Sequence, residues 1–384
     1  MEFELDEDER ALAGLCRDFA TGRIAPQVER YLAEERCPTE LLREMGELGL
    51  MGLLIDEAYG GAGVSTVAFV AALEEVGRID QSIAAAWQAH LTIGSLPLAT
   101  FGSHAQKERW LTPIAEGRTL AGFALTEPSA GSDASAVTTR AERVADGWVV
   151  NGQKMFISNA GTDMSFGVTA LARTVSANGE ETGYGNFVVE RGTPGFTFGE
   201  KLRGIGWRGL DTRPLSFDDV EVGDDHLLGE GGGGLGQFLS VLEVGRISIA
   251  ALSVSLGQAV LDLALDYAGQ RVQFGRPIGR HQAIQFKLAD IATEVEAARW
   301  MTYRAAALRD AGRPFRKQAA MAKLKASRVA MWAASEAVQI HGGYGYMTES
   351  PVARFFCDAK ILEIGEGTNE IQHLVIAREL GCGD

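Results

Sequence analysis

The chain of 384 residues predicts an α+β fold, a helical bundle interrupted by one small β domain. Three observations predict it. Apolar residues recur at three- and four-residue spacing up to about residue 120. Tight-turn dipeptides and short β-branched runs then take over, and long helical patterns return after a run of four glycines at Gly231–Gly234. The divisions are an N-terminal helical domain at 1–120, a middle β domain at 121–230 and a C-terminal helical bundle at 231–384.

In the first domain, Glu40–Gly49, Val64–Gly77 and Ala105–Ala115 carry the helical spacing, broken by Gly, Pro or Asp, with Tyr59-Gly-Gly-Ala-Gly63 as a loop between two of them. In the second, Asp146-Gly147 and Asn151-Gly152 read as tight turns bracketing Trp148-Val-Val150. Phe187-Val-Val189 and Pro214-Leu-Ser-Phe217 continue the strand pattern, and Gly231–Gly234 reads as a hinge or linker. In the third, Leu252, Leu256, Val260, Leu263 and Tyr267 share one helix face, and further helices are expected over about 281–311 and 315–340. The junction of β domain and bundle is the natural ligand cleft.

Bulk properties narrow the function. A net charge of -15 argues against nucleic acid as a partner and would repel a polyanionic ligand unless arginines gather locally. No run of about 18 uninterrupted apolar residues occurs, so no membrane span is expected. The acidic start, Met1 to Arg10, is the opposite of a secretory leader, so a cytoplasmic location is the expectation. Cys16, Cys37, Cys357 and Cys382 lack CxxC spacing and read as reduced thiols, and the histidines show no HExxH pairing, so no metal site is expected. No GxGxxG opens a helix after a strand, and no GxxxxGK[ST] is present.

Two segments carry chemistry. Ala124-Leu-Thr-Glu-Pro-Ser-Ala-Gly-Ser-Asp133 packs turn residues and hydroxyls into a loop suited to a polar ring and its phosphates. Gly365-Glu-Gly-Thr368 sets one carboxylate between glycines, where a ligand can approach a base closely. In Lys154-Met-Phe-Ile-Ser-Asn159 the ring of Phe156 and the hydroxyl of Ser158 stand two residues apart, hence on one strand face, a suitable wall for an isoalloxazine ring.

With these motifs the chain resembles the acyl-CoA dehydrogenase family along essentially its whole length. Thr126 to Asp133 is similar to the family's first signature, and Arg271-Val-Gln-Phe-Gly-Arg-Pro-Ile278 to its flavin-adenine clamp. Gln339-Ile-His-Gly-Gly-Tyr-Gly-Tyr346, followed by Glu349, Arg354 and Asp358, is similar to its second signature, and Ile364-Gly-Glu-Gly-Thr-Asn-Glu370 to the loop carrying its base. The resemblance implies a middle barrel or sandwich, a C-terminal four-helix bundle, and FAD bound between them. It implies that Leu125, Thr126 and Ser132 meet the flavin and its pyrophosphate, with Phe156 and Ser158 at the ring. Arg271, Phe274 and Gln282 would reach a neighbouring subunit's FAD, with Gln339 and Gly343 nearby, and Thr368 and Glu370 would close the pocket. A homotetramer is implied.

The resemblance further implies that Glu366 takes the α-proton of an acyl thioester while a hydride leaves the β-carbon for flavin N5, its own N–H helping to bind the thioester carbonyl. Ser132 and Gly367 belong with the substrate, as does Arg246, for which a buried ion pair with Glu243 is the alternative. Some relatives carry the base one residue before the arginine matching Arg246, but that position is Gly245 here. Phe156 stands where many relatives carry Trp, which keeps an aromatic screen but loses an indole donor, and Gly365 stands where many carry Tyr, which implies a pocket widened beside the α-carbon for short, branched, cyclic or aromatic acyl groups. An electron-transfer flavoprotein is the expected acceptor. The alternatives are an oxidase passing electrons to oxygen, a dehydrogenase of acyl groups on a carrier protein, and a non-catalytic binding protein that keeps the fold.

Overall fold

The computed structural model describes residues 4–382; Met1–Phe3, where the acidic start begins, lie outside the described residues. The N-terminal helices are α1 (Glu7–Phe19), α2 (Val28–Ala33), α3 (Thr39–Glu47), α4 (Thr66–Gly77), α5 (Gln81–Ala89), α6 (Leu96–Phe101), α7 (His104–Gln106) and α8 (Thr112–Ala115). The acidic start has a structural use. Asp6 accepts from Glu9 N (2.8 Å) while Glu9 accepts from Asp6 N (2.9 Å), a capping box whose first-turn carboxylates also face the positive end of the α1 dipole. Every residue of α5 is buried, and its N-cap Asp80 also pairs with Arg354 at 2.6 Å. A π-helical turn, His90–Gly94, follows α5 directly.

The middle domain is one eight-stranded sheet: β1 (Leu120–Ala124), β2 (Arg140–Val144), β3 (Gly147–Ser158), β4 (Ser165–Val175), β5 (Glu181–Glu190), β6 (Phe196–Phe198), β7 (Thr212–Val222) and β8 (Leu227–Gly232). The order is β6-β7-β3-β2-β4-β5-β8, and β1 lies parallel along the same edge of β4 that β2 uses further on. The sheet curls, because Trp148 of β3 meets Phe187 of β5 edge-on at 5.4 Å although β2 and β4 separate those strands. Phe187, Val220 and Phe217 share the core thus enclosed.

Two sequence expectations fail here. Asn151-Gly152 is no turn but a bulge inside β3, where the register against β7 shifts; Gly152 is needed because a Cβ would lie 2.5 Å from Thr139 Oγ1. Nor is Gly231–Gly234 a free linker, since β8 runs to Gly232 and the next helix starts at Gly234, its carbonyl held by Asn186 Nδ2 at 3.0 Å.

The C-terminal part comprises α9 (Gly234–Gln270), α10 (Gln282–Asp310), α11 (Arg316–His341), α12 (Pro351–Leu362) and α13 (Asn369–Glu379). Helix α9 is long and apolar enough to cross a membrane, but 83% of its most apolar stretch is buried inside the protein, as suits a core helix. It packs on α10, α11, α12 and α4, so the helical regions before and after the sheet share one apolar core.

Candidate active site

The first signature loop is pinned from below. Glu127 and Lys154 pair at 2.8 Å with both side chains essentially inaccessible, and Glu127 also accepts from the N–H and hydroxyl groups of Thr138 and Thr139. Burial opposes its charge, yet Lys154 and these donors outweigh that and hold the Glu127 carboxyl well below its ordinary range. Lys154 also donates to Leu125 O (3.1 Å), and Met155 N donates to Thr126 O (2.8 Å). Leu125 and Thr126 are thereby laid beside β3, with Ser132 exposed at the loop's outer turn.

Strand parity alone would put Lys154, Phe156 and Ser158 on one face. Instead Lys154 is buried and Phe156 is 64% exposed, because a second bulge falls between Lys154 and Ile157. Phe156 sits in the left-handed region (φ 62), a costly conformation for a bulky residue that turns its ring outward; Ser158 is half-buried.

Glu366 lies on the α12–α13 loop, also left-handed (φ 53). The loop is fixed on both sides. Gly365 N donates to Ile361 O (2.8 Å), Gln372 Nε2 donates to Gly367 O (2.8 Å), and Thr368 caps α13 by accepting from Ile371 N (3.3 Å). Lys323, fully buried on α11, holds Asn369 Oδ1 at 3.1 Å. Glu370 is exposed on the first turn of α13.

The Glu366 carboxylate points inward. Oε1 accepts from Gln88 Nε2 at 3.0 Å, while Oε2 is buried without a partner. Burial pushes its pKa up to about 7, against the opposing pull of Gln88, Lys323 and Arg246. A Cβ on Gly245 would lie 1.7 Å from Oε2, so the glycine of α9 is the space the base occupies. Among the described residues, the N–H of Glu366 has no hydrogen-bond acceptor.

Beside it Arg246 is 5% exposed, and its Nε and Nη1 have no partner. The alternative of an ion pair with Glu243 is not what forms, because Glu243 pairs with Arg316 at 3.3 Å. A buried guanidinium with free donors and a buried carboxylate oxygen with a free lone pair describe a site built for a guest. The Glu366 and Arg246 groups fit a polar acyl ligand such as a thioester, and the exposed ring of Phe156 beside the loop of Leu125 and Thr126 fits the face of a flavin.

A second set lies where α9 ends, α10 starts and α11 ends. Arg271, Gly343, Tyr344, Tyr267 and His341 line a 430 Å³ groove, with Arg271 over the Tyr344 ring at 5.8 Å. Phe274 and Gly275 form the tip of a two-residue hairpin with φ 52 and 75, the left-handed values of a type I′ turn, and this leaves Phe274 94% exposed. Gln282 and Gln339 are exposed on the adjoining helices. Along α9 this end lies roughly 36 Å from Arg246, at 1.5 Å per residue.

Gln88, Ser248 and Lys323 were not anticipated from sequence. The available signals were a lone amide in the apolar run Ile83 to Ala89 and a lysine among the alanines of α11. His90, in contrast, has a structural role: Ala121 N donates to Nδ1 (3.1 Å) and Nε2 faces Met51 O (3.0 Å), with burial lowering its pKa to about 4.

Comparison with known proteins is consistent along the whole chain. Residues 6–118, 122–220 and 232–381 match the family models for the N-terminal, middle and C-terminal domains of acyl-CoA dehydrogenase. A probable acyl-CoA dehydrogenase of Bacillus subtilis (strain 168) is 45% identical over 382 residues, 99% of this chain and 100% of that protein. The structure of butyryl-CoA dehydrogenase from Megasphaera elsdenii aligns with a TM-score of 0.95 at 41% identity, covering 99% of this chain and 100% of the other. A chain in the structure described as the electron transferring flavoprotein of Acidaminococcus fermentans aligns with a TM-score of 0.95 at 39% identity, covering 99% of each.

Proposed function

Since this chain belongs to the acyl-CoA dehydrogenase family, we propose that it converts a short or branched acyl-CoA to the trans-2-enoyl-CoA, with Glu366 as the base. The family is FAD-dependent, and the bound flavin supplies the acceptor for the β-hydride. The observation that carries the proposal is the Glu366 carboxylate: one oxygen tied to Gln88, the other buried and bare.

The chemistry follows from the groups present. A thioester α-proton is weakly acidic, so its removal needs stabilisation of the charge developing on the carbonyl oxygen. The unpartnered N–H of Glu366 is a donor for that oxygen. Glu366 Oε2 takes the α-proton as the α,β double bond forms, and a carboxyl raised to about 7 is basic enough to accept it near neutral pH. The free donors of Arg246 then hold the base loop or the substrate. Beside the base, a Cβ on Gly365 would meet only Ile361 O, at 3.4 Å, which leaves open room for a branch near the α-carbon.

The same proposal extends to assembly and electron flow. Arg271 and Phe274, beyond the end of α9 remote from Arg246 and Glu366, serve the FAD of a second copy in a homotetramer built from such dimers; their distance from the base supports that reading. An electron-transfer flavoprotein is the acceptor, and the setting is cytoplasmic.

The test is the visible spectrum of the purified protein followed by anaerobic bleaching with butyryl-, isovaleryl- and aryl-propionyl-CoA and a long straight-chain acyl-CoA. A yellow protein bleached by the short and branched substrates, with a Glu366→Gln variant that stays yellow and unbleached, is the expected result. Bleaching by long straight chains alone, or undiminished bleaching in Glu366→Gln, overturns it. Peroxide release on aerobic turnover identifies an oxidase, and preference for the same acyl group on a carrier protein identifies a biosynthetic substrate.

A further inference from the structure

Gln88 sits in the last turn of α5, 2% exposed, the one polar side chain in the run Ile83 to Ala89. Its surroundings account for the amide. Gln88 Oε1 faces Ser248 Oγ of α9 at 2.7 Å and Thr92 Oγ1 of the π-helical turn at 3.2 Å, and both hydroxyl residues are fully buried. Its Nε2 donates to Glu366 Oε1 at 3.0 Å. Reversing the amide would set two acceptor oxygens against each other at that distance, so the ionised carboxylate itself selects the orientation.

We propose that Gln88, held between Ser248 and Thr92, is a positioning residue for Glu366 that ties up Oε1 and leaves Oε2 as the atom that takes the α-proton. This rests on the reading of Glu366 as the base. Three elements distant in sequence meet at one carboxylate: α5 and its π-helical turn through Gln88 and Thr92, α9 through Ser248, and the α12–α13 loop through Glu366. Thr92 stands four residues after Gln88, the spacing that sets two residues over one another on a helix, and its hydroxyl lies 2.7 Å from Gln88 O as well as 3.2 Å from Oε1. The same contact has an electrostatic consequence. A donor on the ionised carboxylate favours the charged form, so Gln88 restrains the rise in pKa that burial imposes.

The charged groups around Glu366 are Arg246 of α9 and Lys323 of α11, which also favour its ionised form. Glu243, Glu363 and Glu370 bear on those two cations in turn. None of these groups is altered by the substitutions below.

The experiment uses the FAD-loaded enzyme and butyryl-CoA, comparing parent, Gln88→Met, Ser248→Ala and Glu366→Gln from about pH 5.5 to about pH 9.5. Methionine keeps the side-chain length and removes the donor. Gln88→Met is expected to move the acid limb of kcat/KM upward by about one pH unit, a loss of about tenfold near pH 6 that fades above pH 9. Ser248→Ala shifts the limb the same way by less, and carries the test if Gln88→Met fails to retain flavin. Thermal unfolding gives a readout independent of turnover: the deficit of Gln88→Met against parent widens from about pH 5 to about pH 9 as Glu366 ionises without its donor. An acid limb that stays in place in both variants, or losses equal at every pH, overturns the inference and makes Gln88 a packing residue. Bleaching by Glu366→Gln would instead overturn the reading of the base, whatever the Gln88 variants do.

Discussion

Adding a single methyl group at Gly245 separates catalysis from stability. An ideal Cβ there lies 1.7 Å from Glu366 Oε2, 2.9 Å from its Cδ and 3.1 Å from Ile93 Cγ2. To restore ordinary van der Waals separation the carboxylate must retreat by roughly 1.5–2 Å. A misplacement of about 1 Å at a reacting group costs on the order of 100-fold in rate, or about 2.7 kcal/mol of barrier. Global stability responds differently. Alanine for glycine within a helix gains about 1 kcal/mol, while overpacking costs about 1–3 kcal/mol, so the two partly cancel. Gly245→Ala is therefore expected to fold, bind flavin and melt close to the parent, yet lose at least about 100-fold in kcat/KM with butyryl-CoA. Anaerobic stopped-flow bleaching beside thermal unfolding measures both. A variant within about threefold of parent activity would refute the argument that Gly245 exists to make room for the base.

Three more outcomes are expected. The raised pKa of Glu366 means that its ionisation costs stability as pH rises above the unfolded value and costs most above about 7; Glu366→Gln therefore stabilises the fold at about pH 9 by about 3 kcal/mol and little at about pH 4, as denaturant midpoints will report. Lys154→Met leaves Glu127 buried without its cation and lowers stability by about 3–5 kcal/mol, with loss of flavin from the loosened loop; in the parent, the contribution of Glu127 is lost as pH falls through its depressed folded pKa, visible as acid lability. Phe274→Asp changes a ring that is 94% exposed, so flavin retention on dilution and the assembly seen by sedimentation both decline, and melting falls only by what flavin binding and assembly had contributed.

Much of this was legible in the sequence because the relevant rules are local. The helices expected over 281–311 and 315–340 are Gln282–Asp310 and Arg316–His341, since Gly, Pro and apolar spacing bound them. What failed was where local rules compete with tertiary ones. Asn151-Gly152 has turn chemistry, but β7 on one side and Thr139 on the other make it a bulge. The alternation of β3 is broken between Lys154 and Phe156 by a second bulge of the same kind. Arg246 and Glu243 are three apart on a helix, the right spacing for a pair, yet Arg316 from α11 takes the carboxylate first. Glu366 was readable from its two flanking glycines. Its supporting side chains come from α5, α9 and α11, and no single stretch of chain records that they meet.

The left-handed backbone of Glu366 has a consequence for how such a site can change over time. Glycine is the residue that tolerates φ 53 without strain, so position 366 would accept it freely, and the oxygen that forbids a side chain at position 245 would vanish with the glutamate. The pocket thus offers two addresses for one carboxylate. Occupying both produces a collision and occupying neither leaves no base, so a lineage moving from one address to the other has to cross through an impaired enzyme or change both codons together.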